Sequence, residues 1–145
     1  MNREDQKMDL IIGIDPDLEK SGVAIKDKNG LRLMNLTFVD LKNLFEQNMP
    51  FIKKVVIEAG WQNKKSNFRN IQSRLVAERT AKNVGENNAT GKLIAQLVES
   101  MGIPVVLIKP TRSKLSADQF NKVVGWDGRS NQEQRDAAML ILNMK

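Results

Sequence analysis

The chain contains no cysteine and no histidine. Without cysteine there is no disulfide, no thiolate zinc site and no cysteine nucleophile. Without histidine, Ser-His-Asp catalysis, imidazole general bases and most transition-metal sites are excluded too. No apolar run approaches the roughly 20 residues that a bilayer-spanning helix needs. The opening residues, Met1-Asn2-Arg3-Glu4-Asp5-Gln6-Lys7, are polar and lack the apolar stretch of a secretory signal, so a cytosolic protein is expected. What remains for chemistry is carboxylates and hard cations.

At 145 residues the chain is expected to form one domain over 1–145, behind a polar leader over 1–9, with enough length for a proper core. Lys and Arg number 23 against 17 Asp and Glu, a net charge of +6. That excess suits a polyanionic partner and equally suits a solubilising surface.

The apolar runs give five strands: Leu10–Ile14, Gly22–Lys26, Leu31–Phe38, Lys54–Glu58 and Pro104–Ile108. Asp27-Lys28-Asn29-Gly30 reads as a hairpin turn. Asp40 is expected to cap a short helix over Leu41–Gln47. From Trp61 to Lys82 a basic amphipathic helix is predicted, broken at Gly85, with Gly85-x-Asn87 as a hinge before a second helix, Asn87–Met101. Ser116-Ala117-Asp118-Gln119 and Ser130-Asn131-Gln132-Glu133 read as capping boxes, the second opening a helix that runs to the end of the chain. Three hairpin-joined strands followed by two strands reached through helices give a mixed α/β sheet with helices on both faces.

Three carboxylates carry the functional reading. Asp15 closes the run Leu10–Ile14, Glu58 closes Val55-Val56-Ile57, and Asp136 lies in the first turns of the last helix, followed by the small pair Ala137-Ala138. Acids at the ends of buried strands are costly unless paired or bound to metal. A turn initiator explains Asp15 alone, a surface ion pair explains Glu58, and a solvated N-terminal acid explains Asp136. Meeting in space on a basic chain, the three read as a Mg²⁺ site that cuts nucleic acid. Glu133, one turn before Asp136, is explained by a capping box and is otherwise an auxiliary ligand. Gly22 either lets its strand pass close to the site or marks a bulge.

These residues also resemble a family. Ile11-Ile12-Gly13-Ile14-Asp15-Pro16, Ser21-Gly22-Val23-Ala24, Val56-Ile57-Glu58 and Arg135-Asp136-Ala137-Ala138 occur in the order seen in RuvC-type Holliday junction resolvases. Lys109-Pro110-Thr111, Phe120, Gly125-Trp126 and Arg129-Ser130-Asn131 resemble the phage-type branch, which would place the protein in a bacterial host. The resemblance implies a ribonuclease H-like fold with a five-stranded mixed sheet. It implies Asp15, Glu58, Glu133 and Asp136 as ligands of two Mg²⁺ ions, with Mn²⁺ as a substitute. It further implies a homodimer that nicks opposed strands of a four-way junction.

For DNA contacts, Trp61 is either a base-stacking aromatic or a core tryptophan, with Phe68 as a competing candidate. Lys64, Lys65, Arg69 and Arg74 fit phosphate contacts or an exposed helix face. Lys109, Arg112 and Lys114 follow the fifth strand, and Lys114 or Lys109 is placed to neutralise the scissile phosphate. Other readings are a related nuclease for RNA–DNA hybrids or flaps, and a junction-binding protein without catalysis. An actin-like ATPase would need a second half for which the chain has no room.

Overall fold

The computed structural model describes residues 9–62, 74–111 and 114–145. Five strands, β1 (Leu10–Asp15), β2 (Ser21–Asp27), β3 (Gly30–Leu36), β4 (Ile52–Glu58) and β5 (Val105–Ile108), form one sheet in the order β3-β2-β1-β4-β5. The first three are antiparallel neighbours, while β4 runs parallel to β1 and β5 parallel to β4. This is the predicted mixed sheet. β1 lies at its centre, which explains why Leu10–Ile14 is buried throughout.

The helices divide between the two faces. Helices α1 (Phe38–Asn48) and α2 (Arg74–Ser100) cover one, where Leu41, Phe45, Ile94 and Val98 pack with Ile12, Ile14, Val55 and Ile57. Helices α3 (Ala117–Val124) and α4 (Gln132–Ile141) cover the other, where Phe120, Ala137, Ala138 and Ile141 pack with Ile11, Ala24 and Val56. Alternate residues of β1 and β4 thus feed opposite cores.

Several local expectations are corrected. Helix α1 starts earlier than predicted, and its N-cap is Thr37; Asp40, the third residue of the helix, closes the capping box by accepting from the cap's N–H. Phe38 accordingly belongs to the helix and not to β3. Gly85 breaks nothing and forms no hinge: α2 is continuous for 27 residues, about 40 Å at 1.5 Å per residue. A helical Gly costs only about 1 kcal/mol, too little to interrupt a helix anchored further on by Thr90, Gly91, Ile94 and Val98. The part of the basic helix predicted over 63–73 lies outside the described residues. The capping box of α4 is shifted by one residue, to Asn131 and Gln134, and the helix stops at Ile141. Ser130 and Glu133 match the same spacing rule but do not form the cap.

Gly22 has its reason in α4. A Cβ there would lie 2.3 Å from the carbonyl oxygen of Glu133, and one on Gly13 would lie 2.3 Å from that of Ala137. Helix α4 therefore rests on bare backbone of β1 and β2. Gly13→Ala and Gly22→Ala should each destabilise the protein by about 1–3 kcal/mol, as overpacking does. Gly85→Ala, where an added Cβ meets open space, should be neutral or stabilising by up to about 1 kcal/mol. Denaturant unfolding of the three variants checks this, and a harmless Gly22→Ala would contradict the close approach.

Candidate metal centre

Three elements deliver one carboxylate each to the same place. Asp15 ends β1, Glu58 ends the neighbouring parallel strand β4, and Asp136 sits in the second turn of α4. One carboxylate oxygen from each lies within 4.8 Å of the others. The parallel pairing of β1 and β4 brings the two strand ends side by side, and the glycine-lined approach of α4 brings the third acid down onto them.

Asp15 is not the turn initiator that its position before Pro16 allows. Asp17 takes that role: its carboxylate accepts from the N–H of Glu19 at 3.0 Å and of Lys20 at 3.3 Å. The Asp15 carboxylate is left to the site.

Charges so close repel. At an effective dielectric of about 20, two carboxylates separated by about 5 Å cost roughly 3 kcal/mol. Burial, then the charges of Glu58 and Asp136, push the Asp15 carboxyl from its ordinary value of 3.8 up to about 8. Glu58 is raised as well, first by burial, with Lys114 opposing and Asp136 adding to the rise. The acids are thus assembled at an electrostatic cost that a bound cation would relieve.

Lys114 supplies part of that relief. Its Nζ donates to Asp136 Oδ2 at 2.6 Å. Burial alone would lower its pKa, but the hydrogen bond and charge of Asp136, then Glu58 and Asp15, raise it. The second oxygen of Asp136 accepts from Gln132 Nε2 at 2.8 Å. Gln132 was not singled out in the sequence, although its i,i+4 spacing from an Asp was a readable signal.

Glu133 stands apart. It is exposed, its carboxylate is outside the three-acid set, and it accepts from Asn35 Nδ2 at 3.5 Å. Its capping role is taken by Gln134.

Beside Glu58 opens a cavity of about 110 Å³ lined by Lys109, Pro110, Thr111, Lys114 and Asp136, with Met139 and Leu140 as its apolar wall. Lys109 and Lys114 therefore both border the acids. Trp61, in the 3₁₀ turn Gly60–Gln62, is half-buried and packs against the α1/α2 core. Its ring edge lies 2.6 Å from where a Gly91 Cβ would be, and Lys92 Nζ sits 6.0 Å from the ring centroid. Arg74 begins α2, its side chain 91% exposed and paired with Glu78 at 3.1 Å. Lys64, Lys65, Phe68, Arg69 and Arg112 lie outside the described residues. Among the described residues no helix is long and apolar enough to cross a membrane.

No protein-family model matches the chain, and no curated protein does. Solved structures do. RuvC of T. thermophilus in complex with a Holliday junction substrate superimposes with a TM-score of 0.57 at 14% identity, over 92% of this chain and 90% of that one. A second Thermus thermophilus RuvC structure gives a TM-score of 0.52 at 13% identity, over 92% of this chain and 91% of that one. At such identity the likeness is one of fold. With its β3-β2-β1-β4-β5 sheet and helices on both faces, the chain has the RuvC-type, ribonuclease H-like α/β fold.

Proposed function

We propose that this protein is a divalent-metal-dependent, structure-selective endonuclease that resolves four-way and other branched DNA as a homodimer, each subunit nicking one of two opposed strands. The observation that carries the reading is the convergence of Asp15, Glu58 and Asp136 within 4.8 Å on a RuvC-type fold. The donor set is all oxygen and anionic, with no sulfur or imidazole, which fits Mg²⁺ or Mn²⁺. The Asp15 carboxyl, raised first by burial and then by the charges of Glu58 and Asp136, would be relieved by a cation held among the three acids, so the residues fit such an ion.

Asp15, Glu58 and Asp136 would hold the metal, with Glu133 as a further ligand. Two divalent ions held by these residues would supply Lewis acidity for an attacking water and for the leaving 3′-oxygen. The chain's own residues do the rest. Lys114, held cationic by Asp136, faces the same acids and is placed to bind a non-bridging phosphate oxygen. Lys109 borders the cavity beside Glu58 and extends that positive edge. Lys64, Lys65, Arg69, Arg74 and Arg112 are assigned to the DNA backbone, where each phosphate contact adds to the salt dependence. Trp61 is assigned to the junction centre; its packing on Gly91 holds the ring in one orientation, which favours stacking on an unpaired base.

A synthetic four-way junction, a flap, an RNA–DNA hybrid and a linear duplex, each incubated with pure protein and Mg²⁺, test the proposal. Paired nicks across the junction, with little cutting of the duplex, are expected. Exclusive cutting of the hybrid would move the substrate class to RNA–DNA duplexes.

Asp15→Asn, Glu58→Gln and Asp136→Asn should each lower cleavage by more than the 10–100-fold that outer-shell changes at a metal typically cost, while junction binding in a gel shift persists. A variant that cuts at the wild-type rate is no ligand. Because Gln134 closes the α4 cap, Glu133→Gln leaves the helix intact, and any loss of cleavage reports the Glu133 charge alone.

The pH dependence has a definite sign. Asp15 in the folded, metal-free protein binds a proton up to about pH 8, whereas the unfolded chain releases it near 3.8. Between those values the folded state holds the extra proton, so stability falls as pH rises. In EDTA the melting temperature of wild type, relative to Asp15→Asn, should drop from pH 5 to pH 8. Added Mg²⁺ should raise melting more at pH 8 than at pH 5, because the metal requires the ionised carboxylate. A pH-independent difference between the two proteins would refute the assignment.

A further inference from the structure

One row of residues crosses the sheet beneath α4. Asp15 on β1 pairs with Gly22 on β2, and Gly22 pairs with Asn35 on β3. Directly paired residues point to the same face. For this row it is the α4 face, because a Cβ on Gly22 would strike Glu133. Asn35 is therefore about 10 Å from Asp15, two strand spacings away, on the same side.

The side chain of Asn35 closes a network of amides. Asn131 Oδ1 accepts from the N–H of Gln134 at 2.9 Å, and Gln134 Oε1 accepts from the N–H of Asn131 at 3.1 Å. With both oxygens turned to the backbone, both amide NH₂ groups must find acceptors elsewhere. Both find Asn35 Oδ1, Asn131 at 2.7 Å and Gln134 at 2.8 Å. The orientation of Asn35 follows, and its own NH₂ faces the Glu133 carboxylate. Each amide dictates the next, so the arrangement has one consistent solution.

We infer that Asn35 is a positioning residue for the metal centre, pinning the capped first turn of α4 to the sheet row that contains Asp15. The inference rests on the metal-site reading above. Asn35 holds the N-terminus of the helix, Gly22 receives the backbone of Glu133, and Asp136, less than one turn on, meets Asp15. A capping box alone fixes the helix end to itself. Asn35 fixes it to the sheet, and through the sheet to the other two acids. Outer-shell partners of this kind orient ligands without touching the metal.

Three variants of the full chain test this. Asn35→Ala removes the shared acceptor. Asn35→Gln keeps both an acceptor for the two amides and a donor for Glu133, with no added charge. Gln134→Glu keeps the capping box closed and removes the amide that reaches Asn35. Mn²⁺ binding is followed by electron paramagnetic resonance, and melting is recorded in EDTA. Asn35→Ala should weaken Mn²⁺ binding about tenfold, Gln134→Glu should weaken it less, and Asn35→Gln should weaken it least. The Mg²⁺ concentration for half-maximal junction cleavage should rise in the same order, with the rate at saturating Mg²⁺ little changed. Wild-type Mn²⁺ affinity in both Asn35→Ala and Gln134→Glu, or a lower melting temperature with unchanged affinity, would overturn the inference. So would equal weakening by Asn35→Ala and Asn35→Gln. Failure of the wild type itself to bind Mn²⁺ would instead overturn the metal-site reading on which it stands.

Discussion

The closeness of α4 to the sheet is the constraint on which the rest depends. A helix packed on a sheet normally stands off by the thickness of the intervening side chains. Here Gly13 and Gly22 remove that layer under Ala137 and Glu133, and Ala137 and Ala138 keep the helix side thin and wholly buried. Only then does the second turn of α4 come within carboxylate reach of two strand ends. The small residues on the three elements thus act together.

Against that favourable packing stands electrostatic strain. Burial disfavours an ionised Asp15 and Glu58, and neighbouring charges add to the cost, Glu58 and Asp136 at Asp15 and Asp136 at Glu58. Lys114 and Gln132 each donate to one oxygen of Asp136, which leaves each oxygen a further acceptor site toward Asp15 and Glu58. Such a cluster could hold a cation, and a cation there would relieve that cost.

The strand ends were legible because buried parallel strands read as continuous apolar runs, and Asp15 and Glu58 each interrupt one. The small pair Ala137-Ala138 likewise foretold a close helix. Other features were hidden by degeneracy. Ser130 with Glu133 and Asn131 with Gln134 satisfy the same three-residue spacing; the bonds that Asn131 and Gln134 donate to Asn35 favour the second pair, while the Ser130 hydroxyl accepts from Arg135 Nη1 instead. Asn35 itself had no local signal, since its partners lie 96 to 99 residues away. Gly85 was misread because propensity is a weak prior inside a long helix, and Thr37 was passed over because Asp40 satisfied the capping rule from the other end of the box.

The strand order also sets a hierarchy of local opening. β1 is the central strand, hydrogen-bonded on both sides, and β4 likewise lies between two neighbours. Amides there should exchange with solvent only near global unfolding. Asp136 sits instead close to the N-terminus of a ten-residue helix, where helices fray first. Two of the three acids are therefore mounted on the most protected backbone of the molecule and the third near a helix end. Reversible loosening of the first turns of α4 would dismantle the centre while the sheet stays closed. Occupation of the site would, by mass action, suppress that sub-global opening and leave the exchange of β1 unaltered.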